Sequence, residues 1–359
     1  MILNPSFPDL WPVPSTPYEA EALAFCQAWQ RGKATFVLQT SGSTGTPKSI
    51  ILTRSQMQAS AQLTANTLGL RAGDKALVCL NIRYVAGIMM LVRGLEIGME
   101  MTIVEPSGNP LTAFDPADTH FEFMAVVPLQ LQSILENTPE KVPILSGMKA
   151  ILVGGAATSP ALEQALQVIN APVFSTYGMT ETVSHIALRR LNGPGRSDAF
   201  RALDGVVLGT DERGCLTILA AATNFELIQT NDVVELLDTD NPQRFRLLGR
   251  ADTVINSGGV KVQPEQVEQI VQQTLAQQLA PQSVPRLFIA GIPDERLGQK
   301  VVLVIEQKTI PESQFETVRM AVGKALGAYA APKQMLVVNA FAETPTGKID
   351  RNTTMAQIR

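Results

Sequence analysis

The 359-residue chain is predicted to fold as an α/β protein with a large N-terminal domain and a small α+β C-terminal domain. Short, continuous apolar runs alternate with helical stretches before residue 178, which is typical of buried parallel strands flanked by helices. After Gly193 the strands become shorter and more polar, which indicates a small antiparallel β subdomain. A glycine-rich polar junction, "LLGRADTVINSGG", lacks apolar periodicity, so we place the domains at residues 1–250 and 251–359.

The elements of the first domain follow from local patterns. A helix is predicted at residues 19–30, after a proline-rich beginning. Ser159 and Pro160 are typical of a helix start, with serine as N-cap and proline in the first turn. The predicted buried strands are "ATFVLQT", "KALVCL", "MTIVE", "FEFMAVVP", "KAILVGG" and "PVFSTYG".

The second domain begins with a helix that Pro264 opens. Its residues Val267, Ile270, Val271 and Leu275 share one face, as in an amphipathic helix packed on a sheet. The remaining predicted elements are a strand pair at "RLFIAGIPD" and "KVVLVIEQ", a helix at 315–326 and a strand at "QMLVVN".

Composition excludes several classes of protein. Hydrophobic residues make up 45% and charged residues 17%, which predicts a folded chain with a sizeable core. The net charge of −4 and the absence of a basic run exclude a nucleic-acid partner. Cys26, Cys79 and Cys215 are widely spaced, which fits neither a disulfide framework nor a zinc site. Without a signal-peptide pattern or a long apolar run, we expect a cytoplasmic protein with no membrane span.

The stretch "TSGSTGTPKS" from Thr40 to Ser49 groups hydroxyls and glycines around Lys48, which predicts a phosphate-binding loop. A P-loop needs glycine directly before its lysine, so that backbone N–H groups can surround the phosphates. Here Pro47 occupies that position, fixes φ and removes a donor, so the P-loop interpretation fails. The alternative for the loop alone is a linker or an exposed turn.

The loop resembles the phosphate loop of the adenylate-forming acyl-CoA synthetases, the superfamily that includes firefly luciferase and peptide-synthetase adenylation domains. Further matches follow in the family's order as far as Arg351. Asn231 is a departure, because the family's T-G-D element has glycine there. The other motifs are the glycine-rich strand end "VGGAATSP", the central "STYGMTET", "QTND", the hinge "LGRADTVINSGG" and the C-terminal lysine motif "TPTGKIDR".

The resemblance implies that ATP and Mg²⁺ activate a carboxylic acid as an acyl-adenylate, with coenzyme A as the acceptor. In such enzymes the carboxylate attacks the α-phosphorus of ATP and pyrophosphate departs. Catalysis then depends on positioning and electrostatic stabilisation. Thr180 would contact the α-phosphate, and Glu181 would bind Mg²⁺ as a hard oxygen ligand; the alternative for Glu181 is an exposed surface acid.

The remaining ATP-binding positions carry over from the matching motifs. Tyr177 would stack on adenine, and Asp232 would accept from the ribose hydroxyls with Arg250 alongside. The alternatives are a core tyrosine and a surface ion pair. The implied ATP-binding residues are Thr40, Ser41, Gly42, Ser43, Thr44, Gly45 and Lys48 in the loop, then Gly154, Gly155, Ala156, Ser175, Thr176, Tyr177, Gly178, Asp232 and Arg250.

The C-terminal motif supplies Lys348, which in the family bridges the substrate carboxylate and the α-phosphate; the alternative is a solvated tail lysine. Since Lys348 lies in the small domain, that domain would be mobile and swing in for the first step and away for the second. Asp252 matches the hinge position. Gly258, Gly259 and Lys261 would line the path of the coenzyme A arm.

The segment "YGMTETVSHIALRR" resembles the o-succinylbenzoate–CoA ligases of menaquinone biosynthesis, in a short form associated with Bacteroidetes-type bacteria. One carboxylate of that acid is activated, and the other needs a polar pocket. Tyr84 falls where the family often has an aromatic or histidine gate and Arg83 is its neighbour, so the acid-binding residues that we predict are Arg83, Tyr84 and His185. Candidates for the second carboxylate are Arg83, Arg93, Arg189, Arg190 and His185, although most of these arginines would be surface charges.

Only thirty-nine residues precede the phosphate loop, fewer than in typical members. We therefore expect a reduced N-terminal subdomain, with a homodimer as one way to cover the exposed core. Two alternative functions stay open. One is an adenylation enzyme that passes another aryl or acyl group to CoA or a carrier protein. The other is a non-catalytic nucleotide-binding protein, disfavoured because the family's key residues are present.

Overall fold

The computed structural model describes residues 1–39, 49–238, 242–279, 284–307, 309–344 and 349–358. The helices are α1 Pro17–Gln30, α2 Arg54–Leu68, α3 Val85–Ile97, α4 Pro128–Asn137, α5 Val142–Ser146, α6 Pro160–Ala165, α7 Pro264–Leu279, α8 Glu312–Leu326 and α9 Arg351–Ala356. Single turns of 3-10 helix lie at Pro8–Leu10, Pro139–Lys141, Leu166–Val168 and Ala221–Thr223.

The strands fall into a large first sheet, a hairpin and a smaller last sheet. They are β1 Ile2–Leu3, β2 Thr35–Gln39, β3 Ser49–Thr53, β4 Lys75–Val78, β5 Glu100–Ile103, β6 Phe123–Val126, β7 Ala150–Val153, β8 Val173–Gly178, β9 His185–Arg190, β10 Phe200–Ala202, β11 Val207–Thr210, β12 Cys215–Leu219, β13 Ile228–Leu236, β14 Arg244–Arg250, β15 Ile255–Ser257, β16 Val260–Val262, β17 Leu287–Asp294, β18 Gly298–Glu306 and β19 Gln334–Val338.

The large sheet combines a parallel and an antiparallel half. Within the described residues its order is β1-β5-β4-β6-β7-β8-β9-β10-β14-β13-β12-β11. Strands β5, β4, β6, β7 and β8 are parallel, and every pairing from β8 onward is antiparallel. The α/β prediction is confirmed. The antiparallel strands expected after Gly193 are also present, but they continue the same sheet.

Strand β7 shows why the apolar runs are continuous. All four of its residues are buried. Leu152 belongs to a core on one face of the sheet, whereas Ile151 and Val153 belong to the core on the other. Since successive side chains of a strand point to opposite faces, a strand covered on both faces needs apolar residues at every position.

The prediction for "ATFVLQT" is wrong. This run forms β2, which pairs antiparallel with β3 in a separate hairpin. Phe36 and Leu38 are buried, whereas Val37 and its cross-strand partner Ile51 are 64% and 67% exposed. A short apolar run is compatible with either arrangement, because the run itself does not specify which strand it pairs with. The hairpin pairs Gln39 with Ser49, the two described residues that flank positions 40–48.

The C-terminal elements are confirmed. Helix α7 begins at Pro264, β17 and β18 pair antiparallel, and β19 joins β18 in parallel. Residues of α7 and α8 pack with those of β17 and β18 in one hydrophobic core, which includes Val267, Val318 and Leu303. Strand β14 of the first sheet ends at Arg250 and strand β15 of the last sheet begins at Ile255, while the domain bounds stay a prediction.

Two absences concern the described part of the chain. None of its helices is long and apolar enough to cross a membrane. The three cysteines are buried and unpaired.

Candidate active site

The glycine-rich and central motifs follow two neighbouring parallel strands, β7 and β8, at the edge where α/β sheets bind ligands. Gly154 and Gly155 come directly after β7, and Thr176 of β8 donates its hydroxyl to the Val153 carbonyl at 3.3 Å. A Cβ on Gly154 would lie 2.5 Å from the Thr176 hydroxyl, and Gly155 has φ of +84°. Both positions therefore require glycine, which leaves the strand end accessible to a ligand.

The turn after β8 presents the predicted catalytic pair. Thr182 anchors it, because its hydroxyl accepts from the Met179 N–H at 3.0 Å and lies 2.8 Å from the Ser184 carbonyl oxygen. Val183 has φ of +66°, a rare conformation for a β-branched residue. Such backbone strain costs on the order of 1–3 kcal/mol and persists only where surrounding contacts impose it.

This turn buries Thr180 and exposes Glu181. Gly178 makes the geometry feasible, because a Cβ there would collide with the Ser184 carbonyl group and lie 2.6 Å from the His185 Cα. The Thr180 side chain is therefore buried in the turn, and the Glu181 carboxylate is accessible to solvent. Their catalytic roles stay predictions.

Asp232 is a buried carboxylate held from two sides. The Tyr177 hydroxyl donates to its Oδ2 at 2.6 Å, and the Arg250 Nη1 donates to its Oδ1 at 3.0 Å. Strand pairing produces this contact, because Asp232 on β13 faces Arg250 on β14 in register. The two oxygens are therefore oriented as a rigid acceptor pair, as the ribose role requires.

The Tyr177 ring packs within the core. Its centroid lies 5.1 Å from that of Phe245 and 5.8 Å from that of Phe200. Burial, followed by the charge of Asp232, raises the pKa of Tyr177 far above its ordinary value, so the hydroxyl remains a donor. In this arrangement Tyr177 orients Asp232, and stacking on adenine stays a prediction.

Arg250 also holds the predicted hinge residue. Its Nε and Nη2 donate to the two oxygens of Asp252 at 2.9 and 2.8 Å. This fork-shaped pair is the geometry in which arginine binds carboxylates best. Hydrogen bonding from Arg250 lowers the pKa of Asp252, so that Asp252 stays ionised at neutral pH.

Arg93 and His185 form a buried polar cluster beside the catalytic turn. Arg93 is 2% exposed and His185 6%. The Arg93 Nε donates to the Thr64 hydroxyl at 3.1 Å, and its Nη2 donates to the Ser184 hydroxyl at 2.7 Å. No described carboxylate pairs with Arg93, and burial alone lowers its pKa to about 9.

The other predicted acid-binding residues have different surroundings. Arg83 is exposed and pairs with Glu21 at 3.3 Å, in a groove that Glu105 also lines, which does not suit a second anion. Arg189 pairs with Glu163 at 2.6 Å, and Arg190 bonds within its own turn. Tyr84, half-buried, is the N-cap residue of α3.

Several predicted residues lie outside the described ranges. They are Thr40, Ser41, Gly42, Ser43, Thr44, Gly45 and Lys48 of the phosphate loop, and Lys348. Among the others, Gly258 and Gly259 form the turn between β15 and β16 with φ of +59° and +81°, and Lys261 on β16 is exposed. Sequence reasoning missed Thr64, which no motif marks.

Comparison with known proteins identifies the family. The sequence profile of the AMP-binding enzyme family matches residues 6–207, more than half of the chain. The chain belongs to the AMP-binding enzyme family. An acyl-CoA synthetase (AMP-forming)/AMP-acid ligase II-like protein from Dyadobacter fermentans is 42% identical, with a TM-score of 0.66. The match covers 100% of this AMP-binding enzyme and 99% of that chain.

Other relatives carry a more specific name. The 2-succinylbenzoate–CoA ligase of Listeria monocytogenes serotype 4b is 26% identical, over 94% of this chain and 72% of the relative. The probable 2-succinylbenzoate–CoA ligase of Mycobacterium tuberculosis is 29% identical, over 88% of this chain and 82% of the relative. The o-succinylbenzoate coenzyme A synthetase of Bacillus subtilis, solved with ATP and magnesium ion, is 22% identical with a TM-score of 0.69. The match covers 89% of this chain and 69% of that chain and shows the shared fold.

These findings indicate that this AMP-binding enzyme is an AMP-forming acid–CoA ligase. Among the described residues, no group of three or more histidine, cysteine, aspartate or glutamate side chains could hold a metal ion.

Proposed function

We propose that the protein activates o-succinylbenzoate with ATP and transfers the acyl group to coenzyme A. The observation that carries the choice of acid is Arg93, a buried cation without a described anionic partner. Leaving a charge buried and unpaired is unfavourable by several kcal/mol. A second carboxylate on the substrate would remove that penalty.

The location of Arg93 supports this assignment. Arg93 bonds Ser184, which lies in the same turn as Thr180, the predicted contact of the α-phosphate. An acid with one carboxylate at Thr180 could therefore direct its other carboxylate towards Arg93. The Arg93 Nη1 has no partner among the described residues, and a guanidinium suits bidentate contact with a carboxylate. The names of the relatives support the same acid.

In the first half-reaction, a carboxylate oxygen bonds to the α-phosphorus and the bond to the pyrophosphate oxygen breaks. Thr180 would donate to the α-phosphate, and Lys348 would hold the two reacting anions together. Asp232 would accept from the ribose hydroxyls. Glu181 would hold Mg²⁺, which neutralises phosphate charge when bound.

In the second half-reaction, the sulfur of coenzyme A bonds to the acyl carbon and the bond to AMP breaks. The thiol proton passes to solvent. We propose that the domain at 251–359 turns about Asp252 between the two steps, which withdraws Lys348 and admits the thiol past Gly258, Gly259 and Lys261. This proposal places the protein in the cytoplasm, where ATP and coenzyme A are available.

The test is pyrophosphate release with ATP·Mg²⁺ across o-succinylbenzoate, benzoate, fatty acids and amino acids, with and without coenzyme A. We expect turnover with o-succinylbenzoate and coenzyme A, and loss of adenylation in Lys348→Ala. Lys324→Ala is the matched control, because Lys324 is an exposed lysine on α8 of the same domain.

Turnover with another acid would keep the chemistry and overturn the choice of substrate. Adenylate formation without transfer to coenzyme A would favour a carrier-protein acceptor. If neither the wild type nor Lys348→Ala releases pyrophosphate with any of the acids, a non-catalytic nucleotide-binding protein would be favoured. The homodimer stays a prediction, which sedimentation of the intact chain would check.

A further inference from the structure

We propose that His185 is a positioning residue that orients Arg93 and thereby sets the preference for acids with two carboxylates. The inference rests on the proposed function, because it concerns the same Arg93. It differs from the sequence-based expectation that His185 itself meets the substrate. His185 lies behind the guanidinium, in contact with Arg93, Thr64 and Ser184.

The hydrogen bonds determine which ring nitrogen of His185 carries the proton. The Thr64 hydroxyl donates to the Ser60 carbonyl at 3.0 Å, so its oxygen acts as an acceptor towards its other neighbours. Those neighbours are the Arg93 Nε at 3.1 Å and the His185 Nε2 at 3.2 Å. His185 therefore carries its proton on Nε2 and presents a lone pair at Nδ1.

The Nδ1 lone pair faces the Arg93 Nη2 at 3.4 Å. Thr64 accepts from one edge of the guanidinium, while Ser184 and His185 accept from Nη2. These three neutral groups bind the Nε and Nη2 ends of the planar fork and leave Nη1 for an anion. Burial and the charge of Arg93 lower the pKa of His185 well below its ordinary value, so the ring remains an acceptor at neutral pH.

Neutral partners are suited to this task. A carboxylate in place of His185 would neutralise Arg93 and weaken its attraction for the substrate. The imidazole instead restricts the orientation of the guanidinium without cancelling its charge. A preorganised cation loses less entropy and solvation when its ligand arrives, so the selectivity depends on His185 as well as on Arg93.

The test compares o-succinylbenzoate with 4-oxo-4-phenylbutanoate, which lacks the carboxylate on the ring, and with 2-butanoylbenzoate, which lacks the one on the chain. The readout is the ratio of kcat/KM for the diacid to that for the monoacid that turns over. We expect Arg93→Met to lower this ratio about 100-fold and His185→Leu about 10-fold, mainly through KM of the diacid. His185→Gln should restore most of it, because its amide offers one acceptor and one donor.

The pattern separates positioning from general damage. A structural role alone would make His185→Leu lower kcat/KM equally for both acids, which would overturn the inference. A ratio that falls in Arg93→Met but stays unchanged in His185→Leu would overturn it while keeping the proposed function. An Arg93→Met variant with an unchanged ratio would overturn both the inference about His185 and the proposed choice of acid. If His185→Leu fails to fold, His185→Asn replaces it. We expect its ratio to lie between those of the wild type and Arg93→Met. A ratio unchanged from the wild type would overturn the inference.

Discussion

Replacing Tyr177 by phenylalanine tests whether Asp232 is a preorganised acceptor. The change removes the hydroxyl that donates to the Asp232 Oδ2 at 2.6 Å and retains the ring that packs against Phe200 and Phe245. Hydrogen bonds to charged groups contribute about 1.5–3 kcal/mol. We therefore expect Tyr177→Phe to lower the free energy of unfolding by about 2 kcal/mol.

The same change should weaken ATP binding. Arg250 would still hold the Oδ1 of Asp232 at 3.0 Å, but Oδ2 would lose its buried partner. If Asp232 receives the ribose, KM for ATP should rise roughly 10-fold, since one misplaced charged hydrogen bond is worth at least that factor. The value of kcat should change less, because the ribose is remote from the phosphorus that reacts.

Urea unfolding at pH 7 and steady-state kinetics with varied ATP measure the two effects. Tyr18→Phe is the matched control, because the Tyr18 hydroxyl donates to a neutral acceptor, the Leu80 carbonyl, at 2.9 Å. It should cost about 1 kcal/mol and leave KM for ATP unchanged. Equal stability losses in the two variants, with an unchanged KM in Tyr177→Phe, would refute the role given to Tyr177.

Gly178→Ala should abolish adenylation and lower the melting temperature, because its Cβ would collide with the backbone of Ser184 and displace the turn. Thermal unfolding and pyrophosphate release measure the two effects. A variant with the melting temperature and the pyrophosphate release of the wild type would contradict this prediction. Burial raises the pKa of Glu268 from 4.5 to about 7 despite the adjacent Arg351, so the folded protein binds this proton more tightly than the unfolded chain. This stability is full below about pH 4.5 and is lost as pH rises to 7, by about 3 kcal/mol at most. Arg351→Met should increase this loss of stability, measured as the fall in the free energy of urea unfolding between pH 5 and pH 8. A smaller fall in Arg351→Met than in the wild type would contradict the prediction.

Local patterns determined most elements and the family. Helix α7 begins at Pro264 as predicted, because proline in a first turn and a repeating apolar face are local signals. The motifs also identify Thr180, Glu181 and Asp232 as candidates, since each lies in a short contiguous motif. The same reasoning failed for β2, because an apolar run does not specify its pairing partner.

The tertiary structure alone decided which arginine is a candidate for the acid. Among the candidate arginines the sequence favours Arg83, the neighbour of Tyr84, and only packing shows that Arg93 is buried without a described anion. Its partners come from α2, the turn before β9 and the first residue of β9, which no local period relates to Arg93. Sequence motifs record chemistry that is contiguous in the chain. Burial and unpaired charge result from contacts between distant segments, so they become visible only once the chain has folded.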